Sequence, residues 1–284
     1  MQIIRTVAEM QARARDPERG RSVVGFVPTM GFLHDGHLSL VRTARELSDT
    51  VVASIFVNPT QFGPSEDFED YPRDLDRDLA LLEEAGTDLV FVPQAPDMYP
   101  DGFATVVHVR RLGEKLCGAY RPGHFDGVCT VVSKLFEIVR PNLSVFGQKD
   151  GQQAAIIERM VADLDMGVQI IRGPIVREPD GLAMSSRNTY LSEEERAEAP
   201  ALHESLEHAR RLFESGETDV GKVLGEVRAI IGAKPHAEVQ YVSAVDWRSL
   251  DDVEELCAGT MIAIAVYFGR TRLIDNVVLG GGGE

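Results

Sequence analysis

Short apolar runs alternate with amphipathic stretches through the first 175 residues, and this rhythm restricts the fold more than any other feature of the chain. Residues 23–27 (VVGFV) are an apolar run, and residues 37–47 follow with Leu38, Val41, Ala44 and Leu47 on one helical face. Residues 50–57 (TVVASIFV) read as a second buried strand. A polar loop, a helix at 73–85 and the strand DLVFV at 88–92 come next. The pattern continues with a helix at 126–139, a strand at 143–146, a helix at 150–164 and a strand at 167–171. Strands separated by helices of this length are joined by right-handed crossovers, so they lie parallel with both faces of the sheet covered. The expectation is a doubly wound α/β domain over residues 1–175.

After Val176 the texture changes. REPDGLAMSSRN (177–188) is a loop, and Ser192 with Glu195 makes the S-x-x-E capping box of a long acidic helix. More helix runs to about residue 231, followed by EVQYVSAV, MIAIAVYF and RLIDNVVL, three β-rich segments. This predicts a smaller α+β domain over residues 176–284. The terminal GGGGE reads as a tail without function.

A formal charge of −16 argues against nonspecific nucleic-acid binding, so any anion must be met by a local positive pocket. Three widely spaced cysteines form neither a disulfide framework nor a zinc knuckle, which makes a reducing cytoplasm the default. The N-terminus lacks an apolar signal core, and the longest apolar run, residues 261–268, is too short to span a bilayer.

Residues 27–40, VPTMGFLHDGHLSL, place Pro28, Thr29, Gly31 and Gly36 between a strand and a helix, with His34 and His37 three apart. Backbone N–H groups and a helix dipole meet there, as an anion site requires, outside the carboxyl end of a strand. Two surface histidines beside a helix cap fit the spacing too, and a zinc site would need a third ligand. The long loop FVNPTQFGPSEDFEDYPRD (56–74) offers Asn58 and Gln61 as neutral amide donors. Its acids Glu66, Asp67, Glu69 and Asp70 are either a Mg²⁺ site or a solvated charge run.

SVFGQKDGQQAAI (144–156) sets Lys149 at another strand-to-helix turn, with Asp150 as an N-cap and Gln152 and Gln153 opening the helix. Ser185, Ser186 and Arg187 lie in GLAMSSRNTYLS (181–192), which is a linker or a loop that folds over a polyphosphate. In RPGHFDGV (121–128), Arg121 and His124 are an anion clamp or cap chemistry. No Ser–His–Asp order, CxxC pair or HExxH is present. The residues therefore point to an enzyme that aligns a nucleoside triphosphate between two domains without a covalent side-chain nucleophile.

PTMGFLHDGH, IFVNPTQFG, YPR, RPGHFDGVCTVVSKLF, FGQKDGQQ and DGLAMSSRN, in this order, resemble the pantothenate synthetase family. The resemblance runs from about residue 23 to 191 and resumes at TRLIDN (271–276). HDGH is similar to the HIGH signature of nucleotidyltransferases and class I aminoacyl-tRNA synthetases. MSSRN takes the place of their KMSKS loop, with Arg187 as the cation.

The resemblance implies a Rossmann-like first domain and an α+β lid. It also implies ATP-dependent joining of pantoate to β-alanine through pantoyl adenylate, in a cytoplasmic homodimer with no nucleic-acid or membrane partner. On this resemblance ATP is held by Met30, Gly31, His34, Gly36, His37, Gly147, Gln148, Lys149, Asp150, the Val176 backbone, Met184, Ser185, Ser186 and Arg187. His37, His34, Lys149 and Arg187 are the implied catalytic group, with His37 as proton donor. Pro28, Thr29, Met30, Gln61 and Gln153 are implied for pantoate, and Gln61 for β-alanine as well. Arg121 matches a family arginine near pantoate and the dimer region. Mg²⁺ accompanies ATP, but the family's metal-binding acid is matched ambiguously by Asp76 and Asp78 around Arg77, so no protein ligand is assigned. A nucleotidyltransferase acting on a phosphorylated acceptor and a nucleotide sensor without turnover are the rival readings.

Overall fold

The computed structural model describes residues 1–16, 20, 22–64 and 66–281, so residues 282–284 of the glycine tail lie outside the described residues. The chain forms two compact units, one of residues 1–147 and 156–173, the other of residues 148–155 and the chain from Pro174 onward. Among the described residues no helix is long and apolar enough to cross a membrane.

In the first unit β1 (Gln2–Ile4), α1 (Val7–Ala14), β2 (Val24–Thr29), α2 (Asp35–Leu47), β3 (Thr50–Ile55), α3 (Leu75–Glu84) and β4 (Leu89–Phe91) follow in order. Two short helices, α4 (Ala95–Met98) and α5 (Cys117–Tyr120), precede α6 (His124–Val139), β5 (Leu143–Gly147), α7 (Gly151–Asp163), whose residues 151–155 belong to the second unit, and β6 (Gln169–Gly173). The six strands are parallel in the order β1-β4-β3-β2-β5-β6. The chain winds outward from β2 through β3 to β4, then crosses back to β5 and β6. The winding reverses between β2 and β5, where doubly wound sheets form their ligand crevice.

The pleat explains the core. Val27, Val51, Ala53, Val90 and Val145 share one face with Leu40, Val41 and Ala44 of α2 and Leu82 of α3. Phe26 and Phe146 turn to the other face, where each meets the Phe136 ring of α6 edge-on. The parallel α/β expectation is met, whereas β1 and α1 have no counterpart in the sequence pattern. Three residues are too few to display a period, and α1 is announced mainly by its Thr6–Glu9 capping box.

Pro28 is the second difference. A proline argues against a central strand because it cannot donate to the ladder, yet β2 continues through Thr29, paired with β3 along its whole length. Backbone direction resolves this. The Val24 carbonyl accepts Asn142 N–H on the β5 side, while the Thr29 carbonyl accepts Phe56 N–H on the β3 side. Residues of a parallel strand alternate sides, so Pro28 turns its missing N–H toward β5. The β2–β5 register stops at Phe26↔Ser144, and β2 keeps its pairing with β3 while its β5 side opens at the reversal.

The second unit adds α8 (Glu193–Glu198), α9 (Ala201–Glu214) and α10 (Val220–Gly232), then β7 (Ala237–Asp246), β8 (Thr260–Phe268) and β9 (Thr271–Val278). These strands make an antiparallel sheet in the order β7-β8-β9. Ile262, Ile264, Val266 and Phe268 of β8 pack with Leu202, Leu206, Val223, Val227 and Ile231 of the helices. The Ser192–Glu195 box forms, but it opens only six-residue α8. Pro200 then has no N–H to continue the turn, and it stands as the N-cap of a new helix.

Candidate active site

The turn after β2 is built around one buried carboxylate. Asp78 of α3 is 1% exposed, and its two oxygens accept the Phe32 and Leu33 N–H groups, each at 2.7 Å. Burial pushes its carboxyl above the usual range against the pull of those two donors. Gly31 sits at φ +82°, where a side-chain Cβ would fall 2.9 Å from Asp78 Oδ2 and 3.0 Å from Ile55 Cγ2. A larger residue is excluded by both strain and space. Thr29 Oγ1 donates to the Ser54 carbonyl at 2.7 Å and accepts Gly31 N–H at 3.2 Å, closing the turn.

That turn delivers His34 as the N-cap of α2 and His37 as its third residue. The rings lie 4.0 Å apart between centroids at 38°. His34 N–H points to His37 Nδ1 at 3.4 Å. An accepting Nδ1 puts the proton of the neutral ring on Nε2, the nitrogen that can donate to an incoming oxyanion. Gly36 is the second residue of the same helix, so first-turn N–H groups, helix dipole and two imidazoles are grouped at one spot.

Gln61 closes a 3₁₀ turn, Pro59–Gln61, at the head of the long loop. Its Nε2 contacts Met30 Sδ at 3.2 Å, which joins the first two sequence-predicted stretches. Asn58 has a different role from the ligand donor expected of it. It is 1% exposed, and its Nδ2 donates to Gln61 Oε1 and to the Gly127 carbonyl, each at 3.1 Å. Its Oδ1 accepts the Tyr99 hydroxyl at 2.7 Å, so it braces the loop against α6. Gly127 permits that approach, because a Cβ there would lie 2.4 Å from the Thr60 carbonyl oxygen. Gly127→Ala should therefore lower stability by about 1–3 kcal/mol, read from urea midpoints; an unchanged midpoint would show that the turn yields freely.

In the acidic run, Glu66 is committed. It receives a bidentate bond from Arg121, Nε at 2.6 Å and Nη2 at 2.5 Å. Burial alone would raise its carboxyl, but the Arg121 guanidinium and the Gly63 N–H hold it below the usual range. Asp76 is exposed, and Arg77 lies over the Phe32 ring at 5.4 Å. Among the described residues no group of three or more His, Cys, Asp or Glu side chains could hold a metal ion.

In the second unit Gln148–Asp150 form a 3₁₀ turn that runs directly into α7, with Lys149 Nζ 4.0 Å from Asp150 Oδ2. Asn276 of β9 donates to the Gln148 and Lys149 carbonyls at 2.9 and 3.0 Å and accepts from Gln148 Nε2 at 2.9 Å. A Cβ on Gly151 would sit 3.0 Å from Met261 Sδ of β8, so this turn is carried on the antiparallel sheet. Gln153 is half-buried in the first turn of α7.

The chain at Val176–Met184 doubles back, Met184 N–H reaching the Val176 carbonyl at 3.0 Å. Arg177 forks onto buried Asp275 at 2.6 and 3.1 Å. Ser185 caps the 3₁₀ turn Ser186–Tyr190, accepting Arg187 N–H at 3.3 Å. Asn188 ties the loop to Glu178 and to the Ala183 carbonyl. Asp275 and Asn276 thus give the TRLIDN stretch a job its sequence did not disclose.

A family model for pantoate-β-alanine ligases matches residues 2–278. The chain belongs to the pantoate-β-alanine ligase family. Members of this family are enzymes, and two curated relatives are pantothenate synthetases. That of Thermosipho africanus is 53% identical over 279 residues, covering 98% of this chain and 100% of the relative. That of Geobacter sulfurreducens is 55% identical over 280 residues, 99% of each. The crystal structure of the Thermus thermophilus pantothenate synthetase superposes with a TM-score of 0.93 at 48% identity, covering 98% of this chain and 99% of that one. A pantoate-β-alanine ligase from Francisella tularensis, solved with β-γ ATP and β-alanine, aligns over 100% of both chains at 33% identity and a TM-score of 0.82. The family's fold is the one described above, a parallel sheet flanked by helices and a small antiparallel sheet.

Proposed function

We propose that this chain condenses pantoate with β-alanine at the expense of ATP, releasing AMP and pyrophosphate through a pantoyl-adenylate intermediate. The observation carrying this reading is the HDGH turn at the N-terminus of α2, beside the reversal of a doubly wound sheet, in a chain of the pantoate-β-alanine ligase family.

A pantoate carboxylate oxygen attacks the α-phosphorus, the bond to the bridging oxygen breaks, and pyrophosphate carries away the electron pair. The β-alanine amine then attacks the acyl carbon, loses a proton, and AMP leaves. Both displacements demand alignment and charge neutralisation more than a protein nucleophile. His34 and the Nε2–H of His37, with the first N–H groups of α2, serve the phosphates in this reading. Lys149 and Arg187 add charge there, and Met184, Ser185 and Ser186 cover them. Met30, Gly31, Gly36, Gly147, Gln148, Asp150 and the Val176 backbone line the rest of the nucleotide. Pro28, Thr29, Met30, Gln61 and Gln153 receive pantoate, and Gln61 borders β-alanine.

Magnesium would accompany ATP and offset the charge of its phosphates. The residues do not fit a protein-held ion, since Asp78 spends both oxygens on backbone N–H groups and Asp76 is exposed. The test is exchange of labelled pyrophosphate into ATP before any β-alanine is added. Exchange that requires pantoate is the expected result; pantothenate formation without such exchange would remove the adenylate.

A cytoplasmic homodimer completes the proposal. Support for self-association comes from the β-prone run ATVVHV (104–109). Among the described residues its backbone at 104–106 and at 108 makes no hydrogen bond, and Val106 is 62% exposed. Antiparallel pairing of two copies about Val106 would satisfy those groups and bring Asp101 of one near Arg110 and Arg111 of the other. Light scattering should give twice the chain mass for the protein and the single mass for Val106→Pro, which removes a pairing N–H; a dimeric variant would discard this surface.

A further inference from the structure

We propose that His124 is a positioning residue that sets Gln61 through one ring nitrogen, with Arg121 and Glu66 holding the ring in the required tautomer. The proposal deepens the reading of Gln61 as a pantoate residue and rests on it. His124 begins α6, and its Nδ1 lies 2.8 Å from the Gln61 carbonyl oxygen. A carbonyl only accepts, so Nδ1 carries the proton. Nε2 of the neutral ring is then an acceptor, and Arg121 Nη1 stands 3.0 Å from it as the donor. Arg121 is itself fixed by the two-point bond to Glu66 and reaches the same Gln61 carbonyl with Nη2 at 3.4 Å. A guanidinium on one nitrogen and a carbonyl on the other select one tautomer and one ring orientation.

The backbone of Gln61 is thus fastened by His124 while its side-chain amide is oriented separately. Oε1 accepts from Asn58, and Nε2 turns one N–H toward Met30 Sδ. The second Nε2–H is left for an acceptor such as a carboxylate or hydroxyl oxygen. Displacing the Gln61 carbonyl swings that N–H away, because side chain and main chain share one short turn. This accounts for the arginine and histidine of RPGHF without calling on either to touch an anion.

The test exploits amide mimicry of single ring nitrogens. His124→Asn keeps an N–H near the Nδ1 position, whereas His124→Gln places its amide near Nε2. The expected pattern is a pantoate KM within about twofold of wild type for His124→Asn. For His124→Gln and His124→Ala it should rise about tenfold, the effect of one lost hydrogen bond, with KM for ATP and thermal midpoint alike in the Asn and Gln variants. Equal pantoate KM values for the Asn and Gln variants would overturn the proposal, whatever the alanine variant does. Gln61→Ala is measured alongside and should raise the pantoate KM. If it does not, Gln61 is no pantoate residue and both readings fall; if it does while the Asn and Gln variants match, only the positioning role falls.

Discussion

Replacing His37 by alanine should lower kcat by about 10²–10⁴-fold while weakening ATP binding less than tenfold. The asymmetry follows from how the ring is held. His34 N–H occupies its Nδ1 side at 3.4 Å, so the donor is Nε2–H, and in the proposed site its hydrogen bond would strengthen as charge builds on the phosphate during attack. In the proposed site, ground-state ATP would keep its other contacts, including the first-turn N–H groups of α2 and the dipole they terminate. Steady-state kinetics with saturating ATP, together with direct nucleotide titration, separate the two quantities. Equal losses in kcat and affinity would make His37 an ordinary ground-state contact.

The second large effect belongs to a residue that touches no substrate in this reading. Asp78→Ala should destabilise the chain by about 2–6 kcal/mol, since two backbone N–H groups lose a charged acceptor at about 1–3 kcal/mol each. Activity should fall with it, because those N–H groups fix the turn that aims His34 and His37. Asp78→Asn separates the roles, as it keeps one acceptor but turns an NH₂ toward the other N–H. It should fall between wild type and alanine in urea midpoint. A full-strength midpoint in Asp78→Ala would mean that the Phe32–Leu33 turn holds itself.

The parallel sheet was readable because its inner strands, β2, β3 and β5, are largely apolar on both faces and α2 carries one apolar stripe. Those patterns are imposed by burial, and burial is written in residue type. HDGH and FGQKD were readable as strand-to-helix turns because glycines interrupt the apolar pattern there. Asp78 was harder. Its neighbours Asp76 and Arg77 make it look like one acid in a charged helix, and only its burial at 1% exposure reveals two N–H groups as its partners. Asn58 misled in the opposite direction, since its amide is consumed by Gln61, Gly127 and Tyr99. Asp275 and Asn276 lie about a hundred residues beyond the elements they fasten, too far for any local pattern to register.

Residue order alone settled the alternation of strands and helices, their parallel arrangement and the family to which the chain belongs. Those depend on local periodicity and on motifs whose members are adjacent in the chain. Tertiary structure decided which acids brace turns, which way Pro28 faces, and which imidazole nitrogen carries the proton. Each of those depends on a partner distant in sequence, and a hydrogen bond has direction that a list of residue types cannot convey.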